Sequence, residues 1–176
     1  MSNLLDNPQL ADALKSELDS WIRTPWFHGG SRGGVPFALK GVGGDCVGTL
    51  LAAYHAVGLA PEIQVACYPP SRGGTCEETT RLSLSRILES LVDEGWLRRV
   101  ALGTEPLAFG DIITFKFAGL EHHVGAYAGG ENEMFYHSGG VGQTARFMQS
   151  SLNEDRYRVA LRSAYRPTGG PSPSRT

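Results

Sequence analysis

The sequence lacks the cysteine pattern of either a zinc site or a disulfide scaffold: Cys46, Cys67 and Cys76 number only 3 and show no C-x2-C spacing. At least one thiol is therefore expected outside any disulfide. Cys67 and Cys76 bracket Tyr68 to Thr75, a loop they would close in an oxidising setting and leave open as inert thiols in a reducing one. No run approaches the roughly 18 to 20 apolar residues that a membrane span needs. Residues 1–21 have no basic segment followed by an apolar one, so neither a membrane span nor a secretory signal is expected. Basic clusters are missing too, and with a formal net charge of -2 the chain has no electrostatic footprint for nucleic acid. The glycine-rich stretches contain no G-x4-G-K-S/T loop and no strand-GxGxxG-helix unit, which excludes the common nucleotide sites. His122, His123 and His137 lack H-E-x-x-H spacing, and no metal or organic cofactor is expected.

What is present is a chain of 176 residues, long enough for one sizeable core and too short for two. Residues 1–167 are read as a single domain and 168–176, rich in Gly, Pro and Ser, as a disordered tail. Asp6 or Asn7 can cap a first helix with Pro8 at its first position and Leu10, Leu14, Leu18, Trp21 and Ile22 on one stripe, ending before Pro25. Gly29 to Gly44 has no period of either kind and is read as a long ordered loop. Asp45 can cap a second helix with Val47, Leu50, Leu51, Tyr54 and Val57 on its stripe and Gly58 at its stop. A third helix, carrying Leu84, Leu88, Leu91 and Val92, begins between Thr75 and Leu82 and ends at Gly95.

After Gly110 the apolar period changes from helical to two. Ile113, Phe115 and Phe117 alternate with Ile112, Thr114 and Lys116, and two further runs cover His122 to Ala128 and Glu133 to Ser138. A last run, Arg158 to Tyr165, reads as a closing strand on an edge. Helices followed by an antiparallel sheet give an α+β class.

Cys46 falls in the first turn of the second helix, where oriented N–H groups and the helix dipole lower a thiol pKa and can hold an oxyanion. Its alternative reading is a small buried apolar residue. Gly43 and Gly44 are expected to turn the chain tightly into the helix, and Gly48 to leave room beside the sulfur. A thiol nucleophile needs a base, and His is the natural one. His55 lies about nine residues along the helix from Cys46, about 13 Å at the helical rise, and cannot reach it. His28, in the glycine-rich loop, is a candidate for lining the site.

His122 and His123 are adjacent on a strand and point to opposite faces, so only one can serve, and the sequence does not choose. His137 shares parity with His123 and lies directly across the hairpin from it if the connecting loop is odd, such as Gly129-Gly130-Glu131. A two- or four-residue loop would place it on the wrong face.

The blocks Thr24-Pro25-Trp26, Gly44-Asp45-Cys46-Val47-Gly48, Gly110-Asp111-Ile112-Ile113-Thr114-Phe115, His123-Val124-Gly125-Ala126-Tyr127 and Phe135-Tyr136-His137-Ser138 occur in an informative order. Over about residues 18–167 the chain resembles the NlpC-type peptidases that cut bacterial cell-wall peptides. Thr24 to His28 and Ala164-Tyr165-Arg166-Pro167 are most similar to the branch found in phage tails and gene-transfer particles. The resemblance implies a papain-like α+β fold, with the Cys helix packed on the sheet that bears the histidines. It also implies Cys46 as nucleophile, His123 as base and His137 as the residue that orients the base; Trp26, Asp45 and His28 are the candidates for substrate binding around them. The implied substrate is a peptidoglycan stem peptide and the implied partners are phage-tail proteins. The family usually carries Tyr where this chain has Trp26, so an indole N–H replaces a hydroxyl. Two other functions fit the same residues: a structural tail component without catalysis, and a thiol amidase or acyltransferase acting on a substrate other than murein.

Overall fold

A computed structural model describes residues 4–27, 38–62, 84–117, 120–140 and 142–170. A 3-10 turn, Leu4–Asp6, leads into α1, Pro8–Trp21, whose N-cap is Asn7. The Asn7 side chain accepts the Gln9 N–H, and Pro8 at the first position sacrifices no helical hydrogen bond. Helix α2 is Cys46–Ala56, ending at Gly58 with φ +74, a left-handed conformation that suits glycine. Helix α3 is Leu84–Asp93. The start expected for it between Thr75 and Leu82, like Cys67 and Cys76, lies outside the described residues.

The described residues form eight strands: β1, Ala38–Leu39; β2, Gly43–Gly44; β3, Leu97–Val100; β4, Ile112–Phe117; β5, Leu120–Gly129; β6, Met134–Gly139; β7, Arg146–Ser151; and β8, Leu161–Pro167. A single-turn helix, α4, Asp155–Arg158, precedes β8. The described end of the stretch expected to be one long loop forms the β1–β2 hairpin. The main sheet runs β3-β8-β4-β5-β6-β7 and is antiparallel throughout. This is the α+β arrangement expected, with one correction. The closing strand β8 is interior, paired with β3 on one side and β4 on the other. Its edge position passes to β3, and β7 forms the other edge. Arg98 and Arg99 obscured β3 in the sequence, and Gln149, Ser150 and Ser151 obscured β7.

Both faces of the sheet are covered. On one face Leu14, Leu18, Leu50, Tyr54, Leu88 and Leu91 of the helices bury Val124, Ala126, Tyr136 and Phe147. On the other Ile113, Phe115, Tyr127 and Phe135 pack with Leu152 and Tyr157. Each such fully buried side chain contributes roughly 1.5 to 3 kcal/mol. Arg166 crosses to the start of β4, where Nε and Nη2 donate to the two oxygens of fully buried Asp111 at 2.7 and 2.8 Å. Its Nη1 reaches Glu105 at 2.8 Å, and Glu105 also accepts both terminal nitrogens of Arg98. In the stretch expected to be a disordered tail, the Thr168 N–H donates to Trp96, and residues 171–176 lie outside the described residues.

The β5–β6 hairpin decides where the histidines point. Its turn is four residues, Gly130 to Glu133, between the paired Gly129 and Met134. Alone, that length puts His123 and His137 on opposite faces. Ala128 is an extra residue, because Tyr127 pairs with Phe135 while Gly129 pairs with Met134. This bulge restores the common parity. His137 consequently pairs with Gly125, diagonal to His123 rather than directly across from it.

Candidate active site

On the nucleophile side, Trp26 and Phe27 run along the approach to α2. The Phe27 N–H donates to the Gly44 carbonyl at 3.0 Å, and the Gly44 N–H to the Pro25 carbonyl at 3.1 Å. Gly43 and Gly44 form β2 and make no tight turn, contrary to expectation. Their glycine character serves close packing: a Cβ on Gly43 would run into the Phe27 ring, and one on Gly44 into the Thr49 hydroxyl. Asp45 is the N-cap of α2, fully buried, with Oδ1 accepting the Gly48 N–H at 2.7 Å. Its carboxylate therefore lies against the first turn of the helix. Cys46 is the first residue of α2 and is buried, at the positive end of the helix dipole. The indole of Trp26, one strand-width away beside Gly44, is 36% exposed.

On the histidine side, His123 Nε2 and His137 Nδ1 are 2.9 Å apart. The choice that the sequence left open is made here: His123, in β5, is the histidine bonded to His137. His137 is 1% exposed, stacked on Phe135 at 4.6 Å between centroids and met edge-on by Tyr157 at 5.3 Å. Its second nitrogen, Nε2, lies 2.9 Å from the Ser150 hydroxyl. Helix α2 packs on β5 and β6, the two strands that carry the pair, but on the face of Val124, Ala126 and Tyr136, whereas the imidazoles lie with Phe115, Phe135 and Tyr157 on the other face. His55 is at the far end of α2, with Nδ1–H donating to the Ala60 carbonyl at 3.2 Å. His28 lies outside the described residues.

Burial first, and then the positive charge of Arg156, lower the His137 pKa to about 4, against smaller opposing effects of the Ser138 backbone and Glu154. The folded state thus holds this ring neutral, whereas the unfolded chain protonates it below about 6.5. The resulting stability is fully present above about pH 6.5 and is lost as pH falls toward about 4. The difference amounts to about 3 kcal/mol. Urea unfolding of the wild type and of His137→Gln between pH 7.5 and 4 checks this: the wild type should lose stability more steeply, and parallel profiles would refute the assignment.

No family model matches the chain, and no curated protein matches it. Solved structures do. An NlpC/P60 family protein from Bacillus cereus aligns over 92% of this chain with TM-score 0.54 and 21% identity. The P60 domain of an antigen from M. avium subspecies paratuberculosis aligns over 91% of this chain and 95% of its own length, with TM-score 0.52 and 16% identity. The fold is of the NlpC/P60 type. An N-acetylmuramoyl-L-alanine amidase from Bacteroides uniformis has a similar structure, at TM-score 0.56 and 13% identity over 91% of this chain and 99% of its own. The chain spans 40% of the length of the Bacillus cereus protein.

Within this NlpC/P60-type fold, Ser150 is the polar group that the sequence reading missed. It sits in β7, the edge strand whose mixed burial pattern hides any period of two. The signal that could have revealed it is a Ser within a strand beside a His-bearing one, legible only once the order β5-β6-β7 is known.

Proposed function

We propose that the chain is a cysteine hydrolase that cleaves stem peptides of peptidoglycan, with Cys46 as nucleophile, His123 as base and His137 orienting the base. The observation that carries this reading is the His123 Nε2 to His137 Nδ1 contact, on strands whose other face packs against the helix Cys46 begins. With Nε2 engaged by His137, Nδ1 is the nitrogen of His123 suited to take the thiol proton. The mechanism requires Cys46 to meet His123 at the opening end of β5, where His123 lies close to the first residue, Leu120.

The Cys46 proton passes to His123 Nδ1, and the thiolate attacks the scissile carbonyl carbon. The resulting oxyanion is held by the first N–H groups of α2, including that of Cys46. His123 then protonates the departing amine as the C–N bond breaks, leaving a thioester. Water attacks the thioester, His123 takes its proton, and the C–S bond breaks to release a carboxylate and restore the thiol. Asp45 supports this chemistry by fixing the helix start, and half-exposed Trp26 supplies an indole face and N–H at the rim. The resemblance of Thr24 to His28 and of Ala164 to Pro167 to the phage-tail branch supports a site of action at a phage-like particle crossing the wall.

Mass spectrometry of material released from purified peptidoglycan tests the reading. Fragments cut within the stem peptide support it. Intact stem peptides freed from glycan would move the bond to the one named for the Bacteroides uniformis enzyme. Absence of any release by folded, reduced protein would reject the substrate.

A further inference from the structure

We propose that Ser150 is a positioning residue of this site: its hydroxyl accepts the His137 Nε2–H, so that the His137 Nδ1 lone pair accepts the His123 Nε2–H. The inference rests on the reading of His123 as base and extends it by one residue. A neutral imidazole has one N–H and one lone pair, so the two contacts of His137 can be satisfied in only two ways. In the first, protons run outward from His123 to His137 to Ser150, and His123 keeps its lone pair on Nδ1. In the second, Ser150 donates to His137, His137 donates to His123 Nε2, and neutral His123 must then carry its proton on Nδ1. Only the first leaves His123 able to take a thiol proton.

The surroundings hold the ring in place for this choice. Phe135 stacks on it, Tyr157 meets it edge-on, and a Cβ on Gly139 would lie 2.5 Å from its Cε1. Ser150 is itself buried, on the β7 residue paired with Phe135. The ionisable groups acting on the ring from the packed elements are His123 of β5, Glu154 beside α4, and Arg156 and Tyr157 of α4. A ring kept neutral at physiological pH is what the relay requires.

Nitrogen-15 NMR of the histidine rings in the full chain reads the tautomer directly. The wild type should show His137 protonated at Nε2 at pH 7. Ser150→Ala should shift His137 toward the Nδ1-protonated form and lower kcat about tenfold with KM within about twofold, the size expected for one lost hydrogen bond. Ser150→Thr, which keeps the hydroxyl, should restore both. Nδ1 protonation in the wild type overturns the proposal, as does a Ser150→Ala protein with unchanged tautomer and kcat. The wild-type spectrum decides alone if Ser150→Ala does not fold. An Nε2-protonated His137 in a protein inactive on peptidoglycan would uphold Ser150's part and reject the peptidase reading.

Discussion

Cys46→Ala should abolish release of fragments from peptidoglycan, and His123→Ala should lower kcat by about 10^6-fold, the order expected when the base of a nucleophile–base unit is removed. The two losses should not add, because a base without its nucleophile has nothing to activate. The physical origin is the thiol proton. At the N-terminus of α2 the dipole favours the thiolate, and in the proposed mechanism the imidazole of His123 is the destination for the proton. Iodoacetamide labelling separates this from a loss of fold. Cys46 in the wild type should label at pH 6 far faster than an ordinary thiol with pKa of about 8.5. In His123→Ala, with unchanged circular dichroism, that advantage should shrink by about tenfold or more. Equal labelling rates in the two proteins would show that His123 does not reach the sulfur and would remove the proposed mechanism.

The largest effect on stability is expected at Asp111 and Arg166, away from the thiol. Asp111→Ala leaves the Arg166 guanidinium, which is almost entirely buried, without its two-pronged partner. Breaking a buried pair in this way costs about 3 to 5 kcal/mol, chiefly the penalty of an uncompensated charge. Arg166→Met strands the fully buried carboxylate, which the Ala108 N–H alone does not neutralise, at similar cost. Replacing both with apolar residues, Asp111→Leu with Arg166→Met, should recover most of the loss, since the charge and its partner leave together. Urea unfolding of the single and double variants measures these differences. Single variants within about 1 kcal/mol of wild type would mean that water or Glu105 takes over the pairing. Asp111 and Arg166 both fall in blocks that carry the resemblance to NlpC-type peptidases, and the ion pair gives them a structural reason to be there.

Local signals were readable from sequence because local physics sets them. Asn7 before Pro8, and Asp45 before Cys46, mark helix starts that need only side chains within one turn. The alternation in β4 and β5 was legible because each face of the sheet meets its own apolar core. What depends on non-local pairing was not. The interior place of β8 follows from β3, whose two arginines disguise a strand. Gly43 and Gly44 were read as a turn, although their need for glycine comes from Phe27 and Thr49, distant or unpaired in any local pattern. Cys46, His137 and the adjacent His122 and His123 could be named as candidates from residue type and order, and the resemblance favoured His123. Which histidine pairs with His137, and that Ser150 continues the chain, required the strand order.

The Ala128 bulge takes up the one residue by which the four-residue turn would otherwise set Ala126, rather than Gly125, opposite His137. Residues paired across an antiparallel ladder share a face whatever the length of the turn that joins them, so the side on which His137 emerges is held by its pairing with Gly125 and not by the tip. Deleting Asn132 should therefore leave His137 in the Phe135–Tyr157 slot as long as that pairing survives, whereas a one-residue slip of β6 along β5 would turn its imidazole to the other side of the sheet.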